Sequence, residues 1–324
     1  MSLARSETLL LGCCTFKLAF HQRRVISTSR RKRLLNYGAN ASRGRPNNWH
    51  KREHVCRARG GSVEKIYKAT QAALWTMEGV YITWLFLLPY APGDPVWAIS
   101  SETVNSLLGL SLNFFFVLPL MNAVGFHIID GPTLHPASEG LFNFVIGWTL
   151  MFGPLLFTDR KRENYKYSLD ILWAAQMFLT NVFLIPYMAI RMSNADIAYP
   201  SRDFSPLQRA MTKGSRFVGL TGGAVCLGSA LWVFVGREDC GFGGISDRWE
   251  FLMNYIASER LAYAFIWDIG LYIIFQPWLI GDNLQNVDKN KVSLIKTLRF
   301  VPVFGLVAYL LCLDFDTDPD EPTL

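Results

Sequence analysis

The sequence predicts an all-α, polytopic bundle of about seven membrane-spanning helices, six of full length and a short seventh. Three observations carry this. Of 324 residues, 51% are hydrophobic and only 18% are charged, against about 25% in an average soluble domain. The apolar residues fall in long uncharged runs rather than in the alternation of a membrane β-barrel. Finally, most runs have a proline inside or near their end (Pro89, Pro119, Pro154, Pro186, Pro277 and Pro302), which membrane helices accept as kinks and water-exposed helices do not.

The formal charge of +6 divides unevenly along the chain. Residues 1–60 hold 14 Lys and Arg against two acids, Glu7 and Glu53, whereas the rest holds 18 against 24. The body is acidic, which excludes a basic nucleic-acid-binding domain. The first 57 residues are rich in Arg and hydroxyl side chains and nearly free of acids, the composition of a cleavable organelle transit peptide. The apolar stretch 9–14 is too short, and placed too early, for a secretory signal. Composition alone fits a plastid or a mitochondrial leader. Val55-Cys56-Arg57-Ala58 resembles a plastid processing site and favours the first. Residues 58–71 then form a short stromal arm, residues 72–313 the transmembrane domain and residues 314–324 an acidic tail.

The runs follow in order. Between Lys68 and Asp94 the one charge is Glu78. Residues 103–129, 141–158, 171–190 and 217–236 carry no Lys, Arg, Asp or Glu, and residues 261–280 carry only Asp268. Each is long enough to cross about 30 Å of hydrocarbon, which takes roughly 20 residues. Residues 300–313 number only 14; they span if Lys296 and Arg299 snorkel. Trp75, Trp173 and Trp278 stand at run ends, as interfacial anchors do. With seven spans the loop charges place eleven Lys and Arg on the N-terminal side and seven on the other. That predicts a stromal N-terminus and a tail across the membrane, although the block Asp159-Arg160-Lys161-Arg162 opposes the assignment.

Candidate functional residues are few. Asp268 sits near the middle of the sixth run, where insertion of a carboxylate costs about 2.5–3.5 kcal/mol. Such a group needs a partner or a function. Arg260 lies eight residues away, about 12 Å along a helix, too far to pair directly. Glu78 is the other acid well inside a run, so the sequence predicts that the first and sixth helices pack together and that the two carboxyls share a proton. The bland alternative is a helix–helix hydrogen bond, to which Asn113, Asn122, Asn143, Asn181 and Gln176 also lend themselves. Ser215, Gly219 and Gly223 recur at four-residue spacing, a stripe suited to close helix packing within the chain or with another protein. His127 and His135 flank Asp130 in one short loop; a metal site there lacks ligands, and no metal or other cofactor is indicated. Cys226, Cys240 and Cys312 form neither a disulfide framework nor a Cys-x-x-Cys site. No nucleotide loop, nucleophile elbow or dinucleotide fingerprint occurs, and no catalytic residue is identified.

The sixth run, beginning with the Arg260 element, resembles that of a family of uncharacterised multi-spanning membrane proteins shared by cyanobacteria and plant plastids. Arg260, Asp268, Pro277, Gly281 and Asp282 stand at the family's spacings, with Asn283 and Gln276 departing from its pattern. Leu141-Phe142-Asn143, Leu184-Ile185-Pro186-Tyr187 with Arg191, and Val301-Pro302 with Gly305-Leu306 are also similar. The likeness covers residues 75–313 and implies a plastid membrane, the thylakoid favoured over the envelope; it implies no activity. The leading functional expectation is a non-enzymatic assembly or auxiliary factor for other membrane proteins. The alternative is a small-solute or ion carrier using the intramembrane carboxyls Glu78 and Asp268, and an enzyme acting on lipids ranks last. The partners expected are the lipid bilayer and other membrane proteins, not nucleic acid.

Overall fold

The computed structural model describes residues 49–193 and 204–314. Of the leader expected over residues 1–57, the part up to residue 48 lies outside the described residues, as does the expected tail beyond Asp314. Everything below belongs to the unit Lys51–Leu324. Among the described residues there are eleven α-helices and no strand. They are α1 (Trp49–Ile82, continued by a π-turn, Thr83–Leu87), α2 (Ser101–Leu112), α3 (Val117–Ala123), α4 (Pro136–Phe157), α5 (Leu169–Ile190), α6 (Pro206–Lys213), α7 (Ser215–Val235), α8 (Ile245–Ser258), α9 (Arg260–Asp282), α10 (Val292–Leu298) and α11 (Phe304–Leu311).

Local chemistry sets several starts. Ser100, Ser168 and Ser205 each accept a hydrogen bond from a first-turn N–H of α2, α5 and α6, as N-caps do. Pro136 and Pro206 occupy first-turn positions where no N–H is needed.

Five helical segments are long and apolar enough to cross a membrane: Ser101–Ala123, Pro136–Phe157, Leu169–Ile190, Ser215–Val235 and Arg260–Asp282. The expected count of seven is not confirmed, since the first and last of the expected spans do not qualify by length and apolarity. In α1, Thr70, Gln71, Thr76 and Glu78 dilute the apolar residues, and much of the apolar sequence beyond them lies in the π-turn. At the other end, α11 has eight residues, about 12 Å of helix, and cannot cross. Residues 287–313 instead leave and return at one place. Val287 and Leu313 form an antiparallel bridge, Asp288 donates its N–H to Cys312 and Asp314 to Asn286. α10 and α11 are the arms of a hairpin closed at its base. The second segment is interrupted as well, at Phe115 and Phe116, which are left-handed with φ of 52° and 57°.

α4 is the hub, with 83% of its apolar window buried. It runs antiparallel to α7, and small residues let the two backbones touch. A Cβ added at Gly222 would meet the Gly147 carbonyl at 2.9 Å, and one at Gly140 the Ser229 carbonyl at 2.7 Å. Dispersion contacts at that range replace the hydrophobic drive that lipid cannot supply.

α1 runs antiparallel to α9, joined to it by side chains at two depths and to the loop after α4 at a third. Beyond the π-turn, Arg260 holds the carbonyls of Leu85 to Gly93. In mid-span the Tyr81 hydroxyl donates to Asp268. At the far end Tyr67 receives a hydrogen bond from Lys161, whose ammonium is 3.8 Å from Asp282. Tyr67 and Asp314 thus stand at the same end of the bundle, the Asp282 end. The last run expected to cross is a closed hairpin, so the sequence reading's placement of these two points on opposite sides has no crossing there to carry it.

Candidate functional site

The site is built around Asp268 on α9, 2% exposed. Its Oδ1 accepts from the Tyr81 hydroxyl of α1 at 2.8 Å and from the Asn181 amide of α5 at 2.7 Å. The Thr180 side chain stands beside it. α5 is broken at this point, with non-helical Leu179 and a positive φ of 28° at Thr180. Positive φ in a β-branched residue is strained and persists only where surrounding contacts impose it. The Asn181 backbone N–H, at the start of the half-helix that follows the break, also faces the Asp268 carboxyl, the favourable sign for a helix dipole.

A pocket of about 140 Å³ opens at this break, lined mainly by apolar side chains from α1, α2, α5 and α9. Asp268, Tyr81, Thr180, Thr103, Asp94 and Arg260 are its polar lining. Arg260 does not answer Asp268. Its guanidinium donates to the carbonyls of Leu85, Leu88, Ala91, Pro92 and Gly93 at 2.8–3.2 Å, which commits all five of its N–H donors to the chain leaving α1. Gly93 is required there: its φ is +72°, and a Cβ would strike the Arg260 backbone. Asp268 thus has only neutral donors, and no cationic side chain pairs with it.

Glu78 is buried three residues before Tyr81 on α1, and its Oε2 has no hydrogen-bond partner. No hydrogen bond joins it to Asp268. The first and sixth runs do pack together, but through Tyr81, and the expected proton-sharing pair gives way to a Tyr–Asp–Asn triad. Sequence reasoning missed Tyr81; its spacing of three from Glu78 was the available signal.

A second polar centre closes the Asp282 end, and the sequence reading passed over it because its members stand just outside the uncharged runs. Asp159 and Arg191 are both fully buried and meet in a bidentate pair, with both nitrogen–oxygen distances 2.8 Å. Tyr187 and Asn283 also donate to Asp159, at 2.6 and 3.0 Å, and Arg191 reaches Asp282 at 3.0 Å. Burial pushes the Asp159 carboxyl up, but the Arg191 charge and the hydrogen bonds from Arg191, Tyr187 and Asn283 outweigh it and hold it below the usual aspartate range. Tyr187, Arg191 and Asp282, quoted separately for the family resemblance, converge here.

A third centre lies at the opposite end. Glu139, fully buried in the first turn of α4, accepts from Arg237 at 2.6 and 2.9 Å and from Trp232 at 2.8 Å.

The remaining candidates are placed as follows. The Ser215 hydroxyl donates to the Leu310 carbonyl at 3.2 Å, Gly219 faces Leu310 and Gly223 faces Val307. The stripe is covered by α11 of the same chain. His127 is exposed beside Asp130 and Asn122. His135 caps α4, accepting from the Ala137 N–H at 3.1 Å, and stacks on Phe251 at 3.5 Å between centroids. Burial and the Arg248 charge hold His135 down at about 4. Among the described residues no group of three His, Cys, Asp or Glu could hold a metal ion.

Comparison with known proteins finds no matching family model, no matching curated protein and no matching solved structure. Five helices long and apolar enough to cross a membrane are compatible with a multi-pass membrane protein.

Proposed function

We propose that this protein is a membrane carrier for a small cation or a proton-coupled solute, with Asp268 as the coupling group. The observation that supports this reading is a 2% exposed carboxylate without a cationic partner, on the wall of a pocket, at a break in a membrane helix. An uncompensated charge in a low-dielectric interior costs several kcal/mol, so the group takes up a proton or a cation. Broken helices lining a mid-depth cavity are where carriers place their coupling ions, and irregular backbone at that depth needs either protein around it or such a cavity.

In this reading α1 is a further crossing despite its polar content. From Tyr67 to Leu88 it covers about 32 Å of helical rise alongside α9. The auxiliary-factor reading ranks second, because the Ser215, Gly219 and Gly223 stripe that suggested a docking face is occupied by α11. A plastid membrane, the thylakoid favoured over the envelope, is the proposed location; the basic leader and the family resemblance support it.

The test is flux in reconstituted vesicles loaded with dyes for H⁺, Na⁺ and K⁺. Wild-type protein is expected to move at least one of them, Asp268→Asn to abolish the movement and Asp268→Glu to keep part of it. A silent wild type, or an Asp268→Asn variant as active as wild type, overturns the proposal.

A further inference from the structure

We infer that α5 does not cross the membrane but is a re-entrant hairpin, entering and leaving at the Asp282 end and turning at Leu179–Thr180 beside Asp268. An unbroken helix from Leu169 to Arg191 would separate its ends by about 33 Å. Yet the Asn164 side chain, five residues before α5, donates to the Arg191 carbonyl at 2.9 Å. Five residues of fully extended chain reach at most about 18 Å, so the straight helix is geometrically excluded. Both arms confirm the reversal. On the incoming arm, the Trp173 ring packs 6.2 Å from Phe157 and lies over Gly153, at the end of α4. On the outgoing arm, Tyr187 donates to Asp159, two residues beyond Phe157. The turn is where Asn181 meets Asp268, 14 residues, or about 21 Å, from the Asp282 end of α9.

Loop charge supplies an independent argument. With α5 as a crossing, the basic block 160–166 falls on the face opposite residues 191–216, and the Lys and Arg of residues 61–324 divide eleven to seven. With α5 re-entrant, residues 101–123 entering beside Arg260 and leaving to Glu139 at the end opposite Asp282, and residues 287–313 a closed hairpin, both blocks and Lys65 and Lys68 lie on one face. Fifteen of the 18 Lys and Arg then belong to the Asp282 face, and only Arg237, Arg248 and Arg260 to the other. That asymmetry obeys the positive-inside rule, and the opposition of Arg160-Lys161-Arg162 disappears. The Asp282 face is the stromal or cytoplasmic one. The tip of the hairpin forms part of the pocket wall, so Asp268 sits at the end of an element anchored only from that face.

The inference holds whether or not the protein transports. It is tested in sealed vesicles of one orientation with full-length chains lacking native cysteines, each carrying one new cysteine: Tyr167→Cys, Ser193→Cys or Ser258→Cys. A membrane-impermeant maleimide is expected to label positions 167 and 193 from the same side and position 258 from the other. Labelling of 167 and 193 from opposite sides overturns the inference. A double variant spin-labelled at 167 and 193 gives a second reading. An inter-label distance below about 25 Å is expected, against about 39 Å for an unbroken helix, and the long distance likewise overturns it.

Discussion

The Tyr81 hydroxyl donates to Asp268 Oδ1 at 2.8 Å, tying α1 to α9 across 187 residues of sequence. The bond joins a long helix of low apolar content to the centre of the candidate site, so it positions the carboxylate and anchors the helix together. Tyr81→Phe removes the hydroxyl and keeps the ring. The expected loss is about 0.6–2 kcal/mol, the range for hydrogen bonds between membrane helices, read as a lower midpoint in detergent-based unfolding. An unchanged midpoint would show that Asn181 alone holds Asp268.

The Asp159–Arg191 pair is the most deeply buried ion pair among the described residues. Arg191→Ala strands the carboxylate and is expected to cost about 3–5 kcal/mol. Arg191→Lys recovers little, because an ammonium cannot make the bidentate contact, whereas the double replacement Asp159→Leu with Arg191→Met recovers most of the loss. Because the folded-state Asp159 is held below the ordinary range, its stabilisation is present above that range and disappears as pH falls through and below it. Unfolding midpoints of the four proteins, measured from neutral to strongly acid pH, check both statements.

His135 adds a milder acid sensitivity. Its Nδ1 accepts from the Ala137 N–H, which a doubly protonated imidazolium cannot do. With the folded group held at about 4 and the ordinary value at 6.5, the contribution is complete above 6.5. It is lost as pH falls from there through about 4. His135→Asn keeps a capping oxygen and should flatten the dependence of the melting temperature on pH in that window; an unaltered slope would assign the sensitivity elsewhere.

Two glycines of α7 separate packing from propensity. Gly222→Val forces a side chain into Met151 and the Gly147 backbone and is expected to cost more than about 3 kcal/mol, through overpacking at its upper end, with loss of monodisperse protein on gel filtration. Gly228 has open space around its Cβ position, so Gly228→Ala is expected to be neutral or to stabilise by up to about 1 kcal/mol. Equal behaviour of the two variants would contradict the α4–α7 contact.

The all-helical class and five of the long apolar helices were legible in the sequence because length and apolarity are local properties. An uncharged run of twenty residues in lipid has no alternative to satisfying its backbone as helix, and the runs around Trp148, Val225 and Ile273 became α4, α7 and α9. Asp268 was legible for a similar reason, since the cost of a mid-span carboxylate depends only on where it falls in its run. Which runs cross, and which turn back, depended on contacts between residues far apart in sequence. Asn164 against Arg191, Val287 against Leu313 and Tyr81 against Asp268 set the directions of α5, the final hairpin and α1, and hydropathy carries no information about any of them. The Asp159–Arg191–Asp282 centre was hidden likewise: charges at run ends read as solvated loop residues until the fold brings three of them together and excludes water, at which point they become the strongest polar contacts in the molecule.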